Sequence, residues 1–173
     1  MNNIILTGFM GCGKTSVGKR LASLLDIAFL DTDELIEKEE GKSISDIFAS
    51  DGEKAFRNME TECIRRLLRQ KKEPAVISVG GGLAVREENR RLLRELGTVV
   101  YLKVSPDTVY RRLKNDEKRP LLQGENPRGR IEDLMNARKE CYEQGAEVVI
   151  LADDKTFEEI MDEILSYCRR SEK

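Results

Sequence analysis

Short apolar runs alternate along the chain with longer stretches in which apolar residues recur every three or four positions. Ile4-Ile5-Leu6 predicts a first strand, and Val17, Leu21, Leu24 and Leu25 predict a helix over Ser16 to Leu25. Ile27-Ala28-Phe29-Leu30 predicts a second strand ending at Asp31-Thr32-Asp33, followed by a polar helix from about Glu34 to Glu40 that Gly41 closes. Ser43, with Asp46 three residues on, resembles a capping box ahead of Ile44, Ile47 and Phe48. After Gly52 a long helix carries one apolar stripe of Phe56, Met59, Cys63, Ile64, Leu67 and Leu68, read as core packing.

Ala75-Val76-Ile77-Ser78-Val79 is continuously apolar enough for a strand covered on both faces, and it ends in Gly80-Gly81-Gly82. A charged helix, Arg86 to Leu96, stops at Gly97; its Arg86, Arg90, Arg91 and Arg94 are read as a solvated face. Thr98 to Leu102 is the fourth strand. Ser105-Pro106-Asp107 then starts a helix running to about Asn115, with a cap, a fixed φ and a first-turn acid in order. Asp116 to Arg130 breaks the pattern with two prolines, two glycines and four basic residues, so it is either disordered or functional. A helix about Ile131 to Gln144, a last strand Val148 to Leu151 and an amphipathic helix Thr156 to Arg169 complete the chain; Phe157, Ile160, Met161, Ile164, Leu165 and Cys168 face inward on the last. Alternating strands and helices of this kind predict an α/β fold: three layers, a five-stranded parallel sheet with helices on both faces, in one domain over residues 1–173. Ligands of such sheets gather at the carboxyl ends of the strands.

Composition narrows the partners. Charged residues make up 36% of the chain but the net charge is only −2, so the broad basic footprint of a nucleic-acid binder is missing. No apolar run approaches the ~20 residues that span a bilayer, and no secretory signal is expected. Cys12, Cys63, Cys141 and Cys168 are isolated, which fits reduced thiols in a cytoplasm. The chain has no histidine, so proton handling falls to carboxylates.

Chemistry is concentrated in Gly8-Phe9-Met10-Gly11-Cys12-Gly13-Lys14-Thr15, set between the first strand and the first helix as a phosphate-binding P-loop requires. Backbone N–H groups of Gly11, Cys12, Gly13, Lys14, Thr15 and Ser16 suit the phosphates of a nucleoside triphosphate, at the positive end of a helix. Lys14 adds a full charge for the β- and γ-phosphates, and the Thr15 hydroxyl can take a place on Mg²⁺. Asp31 and Asp33, at a strand end near the triphosphate, can hold Mg²⁺ through water or orient an attacking hydroxyl. Cys12 leaves two readings open: a thiol made reactive by the anion-binding loop, or a small side chain that points away from it.

These blocks, together with Gly52-Glu53-Lys54-Ala55-Phe56-Arg57, Gly80-Gly81-Gly82, Arg119-Pro120-Leu121-Leu122, Arg138 and Tyr142, resemble the shikimate kinase family in order and spacing over essentially the whole chain. The resemblance implies a P-loop kinase of the nucleoside monophosphate kinase-like fold, with a substrate-binding helical segment about 33–61 and a lid about 113–130. It implies transfer of the γ-phosphate of ATP to the 3-hydroxyl of shikimate, with Mg²⁺, in a cytoplasmic enzyme expected to be a monomer. By the same resemblance Asp33 holds the shikimate hydroxyls and assists deprotonation, while Asp31 sits near Mg²⁺. Arg57 and Arg138 bind the substrate carboxylate, and Gly81 and Gly82 line its ring. Lys14 and Arg119, the latter on the lid, serve the phosphates; Arg112 and Lys155 lie by the adenine. The sequence departs from the family at Cys12, where alanine or serine is commoner, at the reversed Thr15-Ser16 order, and at Lys155. The rivals are a gluconate or nucleoside monophosphate kinase of the same fold, and a nucleotide-responsive binding module without catalysis.

Overall fold

The computed structural model describes residues 2–70, 73–114 and 125–171. Five strands, β1 (Asn3–Thr7), β2 (Ala28–Asp31), β3 (Ala75–Ser78), β4 (Gly97–Lys103) and β5 (Val148–Leu151), form one parallel sheet in the order β2-β3-β1-β4-β5. Ile4 is in register with Val76 of β3 on one side and Thr98 of β4 on the other. Around the sheet lie α1 (Lys14–Leu25), α2 (Thr32–Glu40), α3 (Ile44–Ser50), α4 (Gly52–Arg69), α5 (Glu87–Leu96), α6 (Pro106–Leu113), α7 (Pro127–Gly145) and α8 (Phe157–Ser171), with a 3-10 turn at Leu83–Val85.

The period of two along the strands sorts the core. Ile4, Leu6, Val76, Val100 and Leu102 face Val17, Leu21 and Ala22 of α1 and Ile160 and Ile164 of α8. Ile5, Ile77 and Val99 face Ile64 of α4 and Leu93 and Leu96 of α5. A smaller cluster of Ile36, Ile47, Phe56 and Cys63 ties α2 and α3 to α4. The expected three-layer α/β sheet is therefore present. The chain leaves β1 toward β2 on one side and crosses to β4 on the other, so the loops after β1 and β3 border the crevice where such sheets bind ligands. Among the described residues no helix is long and apolar enough to cross a membrane.

Three helices start two or more residues earlier than the sequence reading, two of them because of a side-chain cap. Helix α2 begins at Thr32 because Asp31 is its cap, with Oδ1 accepting from Asp33 N at 3.0 Å. Helix α7 begins at Pro127, so residues 127–130 are helical; Asn126 Oδ1 accepts from Gly129 N and Pro127 has the fixed φ of a first turn. Helix α1 begins at Lys14, directly after Gly13. The lid expected over 113–130 falls mostly on residues outside those described, as does the block containing Arg119.

Candidate active site

A cleft of about 700 Å³ opens at the carboxyl ends of the strands, lined by residues 10–17 of the loop, Asp31, Asp33, Gly80, Gly81, Arg112 and Lys155 among others. Gly11 and Gly13 hold φ of +75° and +102°, backbone that side-chain-bearing residues rarely adopt, and this bends the loop around the start of α1. Two cations brace it. Lys14 Nζ donates to the carbonyls of Gly8 at 2.8 Å and Phe9 at 3.1 Å, and an Arg112 nitrogen donates to the Gly11 carbonyl at 3.0 Å. Because α1 starts at Lys14, the N–H groups of Lys14, Thr15 and Ser16 have no acceptor within the helix, and all three residues border the cleft. Burial favours the second reading of Cys12: it is only 2% exposed, its side chain packs into the main core, and its N–H donates to the Phe9 carbonyl at 3.2 Å.

Asp33 and the glycine triplet form the opposite wall. Asp33 Oδ1 and Glu60 Oε1 are both buried without a hydrogen-bond partner. A Cβ on Gly80 would lie 2.6 Å from the first and 3.0 Å from the second, so only glycine lets both oxygens converge there. Burial, then the charges of Asp31 and Glu60, push the Asp33 carboxyl up to about 6 from its ordinary 3.8, against the opposing pull of Lys14. Burial also raises Glu60, which Arg57 partly counteracts.

Arg57 donates to Glu60 Oε2 at 2.9 Å and to Glu53 Oε1 at 3.1 Å, and its guanidinium lies on the bare Cα of Gly82. Arg138 donates to the Gly81 carbonyl at 3.2 Å, beside the hydroxyl of Tyr142, which donates to the same oxygen. The structure thus gathers both arginines on the triplet, one at Gly82 and one at Gly81. Neither lines the cleft directly. Lys155 borders it with its amine ion-paired to Glu163.

Sequence reasoning missed Glu60 and Thr32. Thr32, fully buried, accepts from Gly80 N at 3.1 Å and so ties the Asp33 helix to the triplet. Glu60 carried a readable signal: a charged residue four positions before Ile64 and three after Arg57, inside an apolar stripe. The solvated face assigned to α5 needs correction as well. Arg86 donates to the Arg57 carbonyl and Arg90 to the carbonyls of Ala84 and Val85, which leaves Arg91 as the clearest solvated member.

Comparison with known proteins shows the family of the chain. The family model of shikimate kinase matches residues 10–169. The shikimate kinase of Thioalkalivibrio sulfidiphilus is 43% identical over 172 residues, covering 99% of this chain and 90% of that protein. That of Persephonella marina is 46% identical, covering 98% of this chain and 100% of the relative. Among solved structures, a shikimate kinase from Acinetobacter baumannii in complex with shikimate superposes with a TM-score of 0.90 at 36% identity, covering 99% of this chain and 94% of that one. A gluconokinase from Sinorhizobium meliloti, at TM-score 0.56 and 18% identity, shares the fold alone. With the family model spanning nearly the whole chain and near-full-length relatives at 43% and 46% identity, the chain belongs to the shikimate kinase family.

Proposed function

We propose that this chain transfers the γ-phosphate of ATP to the 3-hydroxyl of shikimate, releasing shikimate 3-phosphate and ADP on the route to chorismate and the aromatic amino acids. The observation that carries the reading is Asp33, a buried carboxylate between the phosphate loop and a glycine triplet on which two arginines converge. The loop N–H groups and Lys14 hold the triphosphate, with Arg112 and Lys155 on the nucleotide side of the same cleft. Asp33 orients the acceptor hydroxyl and takes its proton; a carboxyl lifted to about 6 is a stronger base than an ordinary aspartate. Arg57 and Arg138 receive the carboxylate of shikimate, for which a planar fork of donors is well matched. Glu60 and Glu53 hold the Arg57 fork in place. Gly81 and Gly82 let the ring lie against backbone.

Magnesium fits the donors present. The Thr15 hydroxyl and the Asp31 carboxylate are hard oxygens bordering the cleft, and the thiol of nearby Cys12 is turned into the core. When bound, the ion neutralises charge on the phosphate oxygens during transfer. A cytoplasmic setting is supported by four cysteines that are all free thiols.

An assay of ADP release with shikimate, gluconate and nucleoside monophosphates tests the reading. Turnover is expected with shikimate only; comparable turnover of gluconate would overturn it. Arg57→Ala and Arg138→Ala are each expected to raise the KM for shikimate by about tenfold or more, the loss of a charged hydrogen bond, with far less change for ATP. An analogue with its carboxylate reduced to an alcohol should bind the parent poorly and hardly distinguish parent from variants. If the variants still discriminate fully between acid and alcohol, the arginines bind something else.

A further inference from the structure

We infer that Asn89 is a positioning residue for the acceptor side: it joins the helix carrying Arg57 to the glycine triplet and fixes their separation. Asn89 lies on α5, touches neither the cleft nor Arg57's guanidinium, and is fully buried. Its amide is used at both ends. Nδ2 donates to the carbonyl of Leu83, the residue that follows Gly82, at 2.9 Å. Oδ1 accepts from the Thr61 hydroxyl at 2.8 Å. That hydroxyl has one proton and a second acceptor nearby, the Arg57 carbonyl at 3.1 Å; with Nδ2 committed to Leu83, Asn89 offers the shorter bond. Arg86, at the start of α5, donates to the same Arg57 carbonyl at 3.0 Å and to Asn58 Oδ1 at 2.9 Å.

The chain of bonds therefore runs from the Arg57 turn of α4 through Thr61 and Asn89 to the backbone directly after the triplet. The contact it governs has no slack. A Cβ on Gly82 would stand 2.4 Å from an Arg57 nitrogen, so the guanidinium already rests on backbone. A shift between α4 and the triplet therefore moves Arg57 relative to the surface that Gly81 and Gly82 present. A displacement of an ångström is enough to weaken a geometrically demanding site. Apolar packing joins the same elements, since Leu83, directly after the triplet, shares a core cluster with Ile64 of α4 and Leu93 of α5, and the amide adds the direction that this packing lacks. That packing also keeps the two helices together when the amide is removed.

The inference rests on the proposal that Arg57 and the triplet bind shikimate, so Arg57→Ala is measured beside Asn89→Ala, Thr61→Val and Thr61→Ser. Asn89→Ala and Thr61→Val are each expected to raise the KM for shikimate roughly five- to tenfold, as for the loss of about one buried hydrogen bond, while the KM for ATP stays within about twofold. Thr61→Ser, which keeps the hydroxyl, is expected to stay near the parent. In the double variant Asn89→Ala/Arg57→Ala, the second change should add less than about twofold, because the residue being positioned is gone. Parallel rises in both KM values, or a lower melting temperature with both KM values parental, would overturn the positioning role. If Asn89→Ala does not fold, Thr61→Val against Thr61→Ser carries the same comparison. A parental shikimate KM in Arg57→Ala removes the acceptor reading and this inference with it. A raised KM in Arg57→Ala with parental values in Asn89→Ala and Thr61→Val defeats this inference alone.

Discussion

Asp33→Asn is expected to lower kcat for shikimate by roughly 10²–10⁴, the range for removing a positioned base, with ATP affinity nearly unchanged. The same substitution is expected to make the protein more stable, and only above mildly acidic pH. The carboxyl titrates near 6 in the folded protein and near 3.8 ordinarily, so the folded state holds its proton more tightly than the unfolded chain does. Its contribution to stability is fully present below pH 3.8, declines as pH rises to about 6, and is gone above that, where the charged form is buried beside Asp31 and Glu60. An asparagine cannot ionise and escapes this loss. Its amide can also donate to Glu60 Oε1, which has no partner in the parent. A shift of about two pKa units corresponds to on the order of 3 kcal/mol, or ~5–10 °C in Tm for a chain of this size. Tm measured for both proteins from pH 4 to pH 8 should show a gap that opens across that interval. A gap of constant size would show that Asp33 is not a strained carboxylate, and an Asn variant with near-parental kcat would show that it is not a working one.

How much of this was legible depended on how local each determinant is. Strand faces follow from alternation, so the sheet, its two cores and the position of the phosphate loop could be read directly. Asp31 and Asp33 could be recognised as chemistry because two acids at the end of an apolar strand have no core role. Their division of labour could not be read. It rests on Asp31 capping α2, a local bond to Asp33 N, and on Gly80 leaving room for Asp33 beside Glu60, contacts of Asp33 with segments about fifty and thirty residues away in sequence. Glu60, Thr61 and Asn89 were absorbed into helical patterns, because a polar residue on an apolar face is visible while its partner on another helix is not. Arg86, Arg90 and Arg94 illustrate the converse: on a strongly charged helix the arginines that bind backbone carbonyls look like those in solvent. Cys12 turns inward because of the backbone angles of Gly11 and Gly13, and sequence shows those residues only as permissive.

Lys14→Met is expected to reduce kcat/KM for shikimate phosphorylation by roughly 10²–10³, comparable to removing one preorganised donor from developing charge. Lys14→Arg is not expected to restore it. The ammonium occupies a point between two carbonyls, Gly8 at 2.8 Å and Phe9 at 3.1 Å, with the Cys12 sulfur 3.8 Å away. A compact group with three rotatable donors can keep one bond to the loop while turning another toward phosphate. A planar guanidinium spreads its donors over a rigid fork and does not fit that point. The charge also acts across the cleft, since Lys14 is the positive group that restrains the upward shift of Asp33. Removing it should therefore raise the Asp33 carboxyl further and move the acidic limb of the pH–rate profile upward. The measurements are kcat/KM from pH 5 to pH 9 for parent, Met and Arg variants, with calorimetric binding of a non-hydrolysable ATP analogue. Both variants should bind the analogue more weakly, and the Met variant's acidic limb should lie above the parent's. Recovery of activity by arginine to within a few fold of the parent would mean that charge alone suffices. An unmoved acidic limb in the Met variant would mean that Lys14 and Asp33 are not electrostatically linked.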